Sequence, residues 1–161
     1  MNQSEKEFEE AITQNNGIIS KVCYYFSSNT DEFEDLRQEV LYNIWKGWDK
    51  FQNKSKISTW IYRICFNTCI SYQRKSVSIK SSIPIEDIID MGEDPSLSKI
   101  EKYNEMHNLI SQLNYEDRAI ILLWLDEKTY EEISELTGIT RNTIAVKLKR
   151  IKEKLIKMAR Q

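Results

Sequence analysis

Residues 130–148 read Tyr130-Glu-Glu-Ile-Ser-Glu-Leu-Thr-Gly-Ile-Thr-Arg-Asn-Thr-Ile-Ala-Val-Lys-Leu148, and their spacing matches two helices joined by a tight turn, the helix-turn-helix. Thr129 and Glu132 have the capping-box spacing that satisfies orphan amides at a helix start. Ile133 and Leu136 face a core, Ser134 is small where the helices approach, and Gly138 is suited to the left-handed turn that stops the first helix. Ile139, Ile144 and Leu148 anchor a second helix after Ile139-Thr140, and Ile151, Leu155 and Met158 prolong its buried stripe. Its first turn presents Thr140, Arg141, Asn142 and Thr143, which offer amides, hydroxyls and a guanidinium to phosphates and base edges. Lys147, Lys149 and Arg150 are expected to remain free for DNA.

Working outward, Leu97, Ile100, Tyr103, Met106, Ile110 and Leu113 recur at helical spacing, and a very apolar helix is expected from Tyr115 to Leu125. Toward the N-terminus, Ser4 and Glu7 have capping-box spacing ahead of an apolar face formed by Phe8, Ile12, Ile19, Cys23 and Phe26. This predicts a helix over 5–27 with a break near Asn16-Gly17. Thr30 is the expected cap of a helix over 31–49, with Phe33, Leu36, Val40, Leu41, Ile44, Trp45 and Trp48 on one side. Ser58-Thr59 is the expected cap of a third long helix carrying Trp60, Ile61, Ile64, Cys65, Thr68, Cys69 and Tyr72. Residues 76–98 hold both prolines, Gly92 and an acidic cluster, and read as a linker.

The chain has 161 residues, 40% hydrophobic and 30% charged, enough apolar material for one ordinary domain or two small ones. Four glycines and two prolines leave few of the tight turns of sandwiches and barrels. The expected fold is all-α: two small helical domains, over 1–76 and 99–161, joined by a flexible acidic linker over 77–98, the C-terminal one a helix-turn-helix. The longest apolar run, Ala119 to Leu125, is too short to span a bilayer. The acidic opening is unlike a secretory signal, so a cytoplasmic location is expected. Cys23, Cys65 and Cys69 are an odd count that suggests reduced thiols.

The net charge of -2 hides segregation of sign. Residues 1–49 carry ten acids against four bases, residues 50–85 carry seven bases and no acid, and residues 141–161 carry eight bases against Glu153 alone. In the middle window Phe51, Trp60, Tyr62, Phe66 and Tyr72 alternate with lysines and arginines. Aromatic faces stack on unpaired bases while cations follow the backbone, so this composition suits single-stranded nucleic acid; the competing reading makes most of these rings core.

The stretch Asp35-Leu-Arg-Gln-Glu-Val-Leu-Tyr-Asn-Ile-Trp45, then Phe51, then Ser58-Thr-Trp-Ile-Tyr-Arg-Ile64 with Asn67, and the run from Tyr130 to Lys154 together resemble an RNA polymerase sigma factor of the extracytoplasmic-function (ECF) type. The resemblance covers nearly the whole chain. It implies that the second helix docks on core RNA polymerase through Asp35, Arg37, Gln38, Glu39, Asn43 and Trp45. It further implies that the 52–58 loop and the following helix open the minus-ten promoter element and hold a flipped base, through Lys54, Ser55, Lys56, Ser58, Trp60, Arg63, Asn67, Arg74 and Lys75. The second domain is then expected to read the minus-thirty-five element as duplex through Thr140, Arg141, Asn142, Thr143, Ala145, Val146, Lys147, Lys149 and Arg150, with Val146 placed to meet a thymine methyl. Promoter DNA, core polymerase and an anti-sigma factor are the implied partners. The chain is expected to be a monomer when free, without cofactor or small-molecule substrate.

Enzymatic rivals find little support. The single histidine, His107, lies in a polar stretch and is expected at the surface. Cys65 and Cys69 sit i, i+4 and suggest a metal only with help from Cys23; small buried hydrophobes explain them equally well. The carboxylates of the second helix have no nucleophile beside them. The stronger alternative is a free-standing helix-turn-helix regulator that binds operator duplex as a dimer. A helical adaptor without DNA contact ranks behind it.

Overall fold

A computed structural model describes residues 2–75 and 97–161 as two compact helical units, one on each side of Ser96. The expected linker therefore lies outside the described residues, apart from Leu97 and Ser98. No strand occurs among the described residues, and none of the helices is long and apolar enough to cross a membrane.

The first unit holds α1 (Gln3–Gln14), α2 (Asn16–Phe26), α3 (Thr30–Gly47) and α4 (Ile57–Lys75), with a single 3₁₀ turn at Trp48–Lys50. Its first and third helices start earlier than expected because an asparagine, as good a cap acceptor as the neighbouring hydroxyl residue, holds the cap position. Asn2, not Ser4, forms the capping box with Glu5. Asn29, not Thr30, accepts the amide of Glu32 at 2.8 Å. The break between α1 and α2 falls on Asn15, whose backbone leaves helical geometry and whose Nδ2 donates to the Ala11 carbonyl at 2.8 Å; Gly17 makes no special turn. At α4 the Lys56 carbonyl accepts from the Trp60 amide at 3.1 Å, so Ser58 and Thr59 sit inside the first turn instead of capping it.

The core of this unit is drawn from the expected apolar stripe, except that in its 31–49 portion Trp45 is exposed and Leu41 and Trp48 are only half-buried. Ile19, Cys23, Leu36, Val40, Ile44, Ile61, Cys65 and Cys69 are fully enclosed, with α4 packed between α2 and α3. A polar lock closes one end. Gln73 of α4 donates through Nε2 to the Phe26 carbonyl at the end of α2 and to Glu32 Oε1 of α3 at 2.6 Å, and both Gln73 and Glu32 are buried.

All three cysteines are buried thiols that form no disulfide. Burial pushes the Cys65 thiol well above the ordinary thiol range, and neighbouring Cys23 adds to the shift, which disfavours the reactive thiolate. A disulfide-exchange reagent such as DTNB should therefore leave the native chain almost untouched over minutes and titrate three thiols once guanidinium unfolds it. Rapid native reaction of even one thiol would contradict this packing.

The second unit holds α5 (Leu97–Ile110), α6 (Tyr115–Leu125), α7 (Tyr130–Thr137) and α8 (Arg141–Ala159). Ile110, Ile120, Leu123, Ile133, Ile144 and Leu148 are fully buried between them. Arg118 bridges the turn between α5 and α6, donating Nη2 to the carbonyls of Ser111 at 2.8 Å and Leu113 at 2.9 Å, which satisfies groups that a helix end leaves orphaned. His107 corrects an expectation: it is buried, 6% exposed, because it stands one turn before Ile110 and shares its inward face.

Candidate nucleic-acid interface

The turn between α7 and α8 builds the site. Thr129 and Glu132 form the reciprocal capping box at 3.1 and 3.0 Å. Gly138 closes α7 with a φ of 76°, a conformation that a side-chain-bearing residue adopts at a cost of about 1 kcal/mol or more. Ser134 Oγ donates across the turn to the Ile139 carbonyl at 2.5 Å, so the small residue at that position also pins the incoming chain. Thr140 caps α8 and hydrogen-bonds Thr143 at 2.8 Å, hydroxyl to hydroxyl. Beyond this cap, Ile144, Leu148 and Ile151 are buried, whereas Arg141, Asn142, Thr143, Val146, Lys149 and Arg150 are exposed. Val146 is 67% exposed. Ala145 is half-buried.

Two cations of this face are already engaged. Arg141 Nε lies 2.5 Å from Glu131 Oε1 and its guanidinium covers the Tyr130 ring; the hydrogen bond from Arg141 holds the Glu131 carboxyl below its usual range. Lys147 is not free as expected: its Nζ lies 2.7 Å from Glu116 Oε2 and 3.9 Å from Asp117 Oδ1, both on α6. Those partners lie 10 and 31 residues away in sequence, beyond the reach of a local charge count. Lys152 stands 4.1 Å above the Trp124 ring and serves as a clamp between α6 and α8.

In the first unit the loop after the 3₁₀ turn exposes Lys54 and Lys56, with Ser55 half-buried between them. Asn53 turns the chain there in the left-handed region, φ 54°, which asparagine tolerates better than most residues. Trp60 is half-buried, its ring 4.9 Å from Phe51 and 6.2 Å from Trp48. The two readings of the aromatic residues therefore divide by position. Tyr62 and Phe66 are core, stacked on each other at 5.9 Å, while Phe51, Trp60 and Tyr72 keep part of their surface. Ser58 and Arg63 are half-buried; Asn67, Arg74 and Lys75 are exposed.

The expected docking residues of α3 sort the same way. Asp35, Gln38, Glu39 and Trp45 are exposed, with Trp45 resting edge-on against Phe8 at 4.9 Å. Arg37 instead donates Nη2 to Asn16 Oδ1 at 2.5 Å, and Asn43 donates Nδ2 to Thr68 Oγ1 at 3.0 Å, so both tie helices together. Asp35 hydrogen-bonds Tyr72, whose phenol is raised above its ordinary range by burial first and by Asp35 and Glu32 next. Between α3 and α4 a groove of about 580 Å³ gathers Glu39, Asn43, Asn67, Thr68, Ser71, Tyr72 and Lys75. Residues assigned from sequence to two separate tasks thus share one wall. Thr68 and Ser71 were not among the expected site residues, and Tyr72 was expected only as one ring of the aromatic window; the i, i+4 spacing of Asn67, Ser71 and Lys75 is the sequence signal that places them on one face.

Comparison with known proteins gives this arrangement its family. The sigma-70 region 2 model matches residues 11–78 and the sigma-70 region 4 model matches residues 103–155. The chain is 29% identical to the ECF RNA polymerase sigma factor SigW of Bacillus subtilis over 88% of its own length and 83% of the relative's. It is 26% identical to the RNA polymerase sigma factor SigV of the same organism, over 86% and 82%. The chain belongs to the ECF sigma factors. Its fold is shared by the sigma factor RpoE of Bartonella quintana, solved in complex with the anti-sigma factor NepR, at a TM-score of 0.76 and 21% identity over 96% of this chain and 98% of that one. CnrH, solved with the cytosolic domain of CnrY, gives 0.70 at 13% identity over 96% and 88%. As an ECF sigma factor the chain binds DNA and acts in promoter recognition and transcription initiation in association with RNA polymerase. Its helix-turn-helix lies within the region 4 match; the aromatic and basic loop lies within the region 2 match.

Proposed function

We propose that this ECF sigma factor divides its work between its two units. The first, taken as residues 1–76, docks on core RNA polymerase through the exposed face of α3, with Asp35, Gln38, Glu39 and Trp45 at the contact and with Arg37 and Asn43 holding α3 in place. The loop carrying Lys54, Ser55 and Lys56, together with Ser58, Trp60, Arg63, Asn67, Arg74 and Lys75, receives the non-template strand of the minus-ten element and helps to open the duplex. Stacking on Phe51 and Trp60 replaces the base stacking that opening destroys, and the cations follow the backbone. The second unit, 99–161, reads the minus-thirty-five element as duplex through the exposed half of α8, and residues 77–98 link the two. The polymerase carries all the chemistry. An anti-sigma factor is the expected antagonist, as the two structural relatives were each solved with a partner of that kind or with a cytosolic domain.

The observation that carries this reading is the presence in one chain of a built helix-turn-helix with exposed Asn142, Thr143, Val146, Lys149 and Arg150 and of a basic loop backed by the half-buried Phe51–Trp60 pair. Co-elution of the purified chain with bacterial core RNA polymerase on gel filtration tests it. Stoichiometric co-elution is expected, and elution of the chain alone as a dimer would favour the free-standing regulator instead. Trp60→Ala is expected to abolish open-complex formation, read as loss of permanganate-reactive thymines, while polymerase binding persists. If polymerase binding fell with it, Trp60 would be a core residue and not a strand contact.

A further inference from the structure

Lys147 occupies a different environment from the cations that flank it on α8. Lys149 and Arg150 are exposed, whereas the Lys147 side chain is only 20% exposed and its ammonium sits between two carboxylates of the first turn of α6. Glu116 is the hydrogen-bonding partner at 2.7 Å and is itself 52% exposed. Asp117, at 3.9 Å, is 10% exposed, and its Oδ1 is buried without a hydrogen-bond partner. On the helix surface Lys147 lies one turn after Thr143 and one turn before Arg150, both exposed. It therefore stands on the edge between the packed flank of α8 and the face offered to DNA. A lysine stem is flexible and its ammonium is a compact point charge, so rotation about the stem exchanges one oxyanion partner for another.

We propose that Glu116 is an internal stand-in for a DNA phosphate, which occupies Lys147 and thereby sets the affinity and salt dependence of the duplex interface. The inference rests on the reading of α8 as the DNA-reading helix and adds to it a residue outside the helix-turn-helix. The phosphate term of binding is independent of sequence. An acid that keeps one cation engaged trims that term for every sequence and leaves Asn142, Thr143 and Val146 to discriminate. Glu116 suits this role better than Asp117. Its carboxylate is solvated and can release the ammonium, whereas the buried Asp117 keeps the ammonium nearby in either state.

The test is fluorescence anisotropy of the full chain on a short labelled duplex of random sequence, titrated at several salt concentrations. Glu116→Gln is expected to tighten binding roughly three- to tenfold at low salt and to steepen the dependence of log K on log salt by about one released counterion. Lys147→Gln alone should leave that slope unchanged, and the gain should vanish in the Glu116→Gln/Lys147→Gln double variant. An unchanged affinity and slope in Glu116→Gln would overturn the proposal. So would a gain that survives in the double variant, since this would reflect only the loss of a negative charge. Lys149→Gln with Arg150→Gln separates the two levels of inference. If that variant weakens and flattens binding while Glu116→Gln changes nothing, only the role of Glu116 fails. If it binds like the parent chain, α8 does not face DNA and both readings fall.

Discussion

Reversal of two charges, Lys149→Glu with Arg150→Glu, is expected to weaken duplex binding by about a hundredfold or more at moderate salt and to abolish transcription directed from a promoter that needs its minus-thirty-five element. Both side chains are exposed on α8, turned away from the buried Ile144, Leu148 and Ile151. The substitution therefore changes the surface and not the packing. Each lost phosphate contact removes about one counterion from the salt dependence, and each introduced carboxylate adds repulsion against the same phosphates. The measurement is anisotropy on duplex DNA beside a circular-dichroism melt. Unchanged helicity with lost binding is the expected result, and undiminished binding would leave α8 without a DNA role. Substitution of Arg141 should have a smaller effect, because its guanidinium is already shared with Glu131 and the Tyr130 ring.

Gln73→Leu is expected to destabilise the first unit by about 3 kcal/mol, because each buried polar group left without its partner costs about 1–3 kcal/mol and a charged one costs more. Two acceptors would lose this donor: the Phe26 carbonyl at the end of α2 and the buried Glu32 carboxylate of α3. For a unit of this size that is a fall in Tm on the order of 10–20 °C. Differential scanning calorimetry should show the transition of the first unit moving down while that of the second unit stays. The double variant Gln73→Leu/Glu32→Leu should recover part of the loss, since both ends of the charged contact are then apolar. A Gln73→Leu chain that melts like the parent would show that water replaces the amide without penalty.

Much of this architecture can be read from the sequence, and the failures share a cause. The apolar helix over 115–125, the capping box at Thr129 and the left-handed Gly138 depend on residues close together in the chain, and all three are present in the structure. Local competition misled at Ser4, Thr30 and Ser58. In the first two an asparagine one or two residues earlier is an equally good acceptor, and only packing decides between them. The features least legible in the sequence are side chains whose partners are distant in the chain. Lys147 finds Glu116, Arg37 finds Asn16, Asn43 finds Thr68, and His107 is drawn inward with Ile110. The aromatic window of α4 shows the same limit. Its composition suits bases, but the inward face of the helix claims Tyr62 and Phe66 for the core.

Gly47, at the end of α3, faces the indole of Trp60 on α4. A β-carbon placed on Gly47 would come within 3.2 Å of Trp60 Cζ2, tighter than side chains normally pack, and the indole is itself hemmed in by Trp48 and Phe51. An alanine at 47 would require the indole to give by a few tenths of an ångström within that cluster, so the last turn of α3 fixes the tilt of the ring that α4 presents.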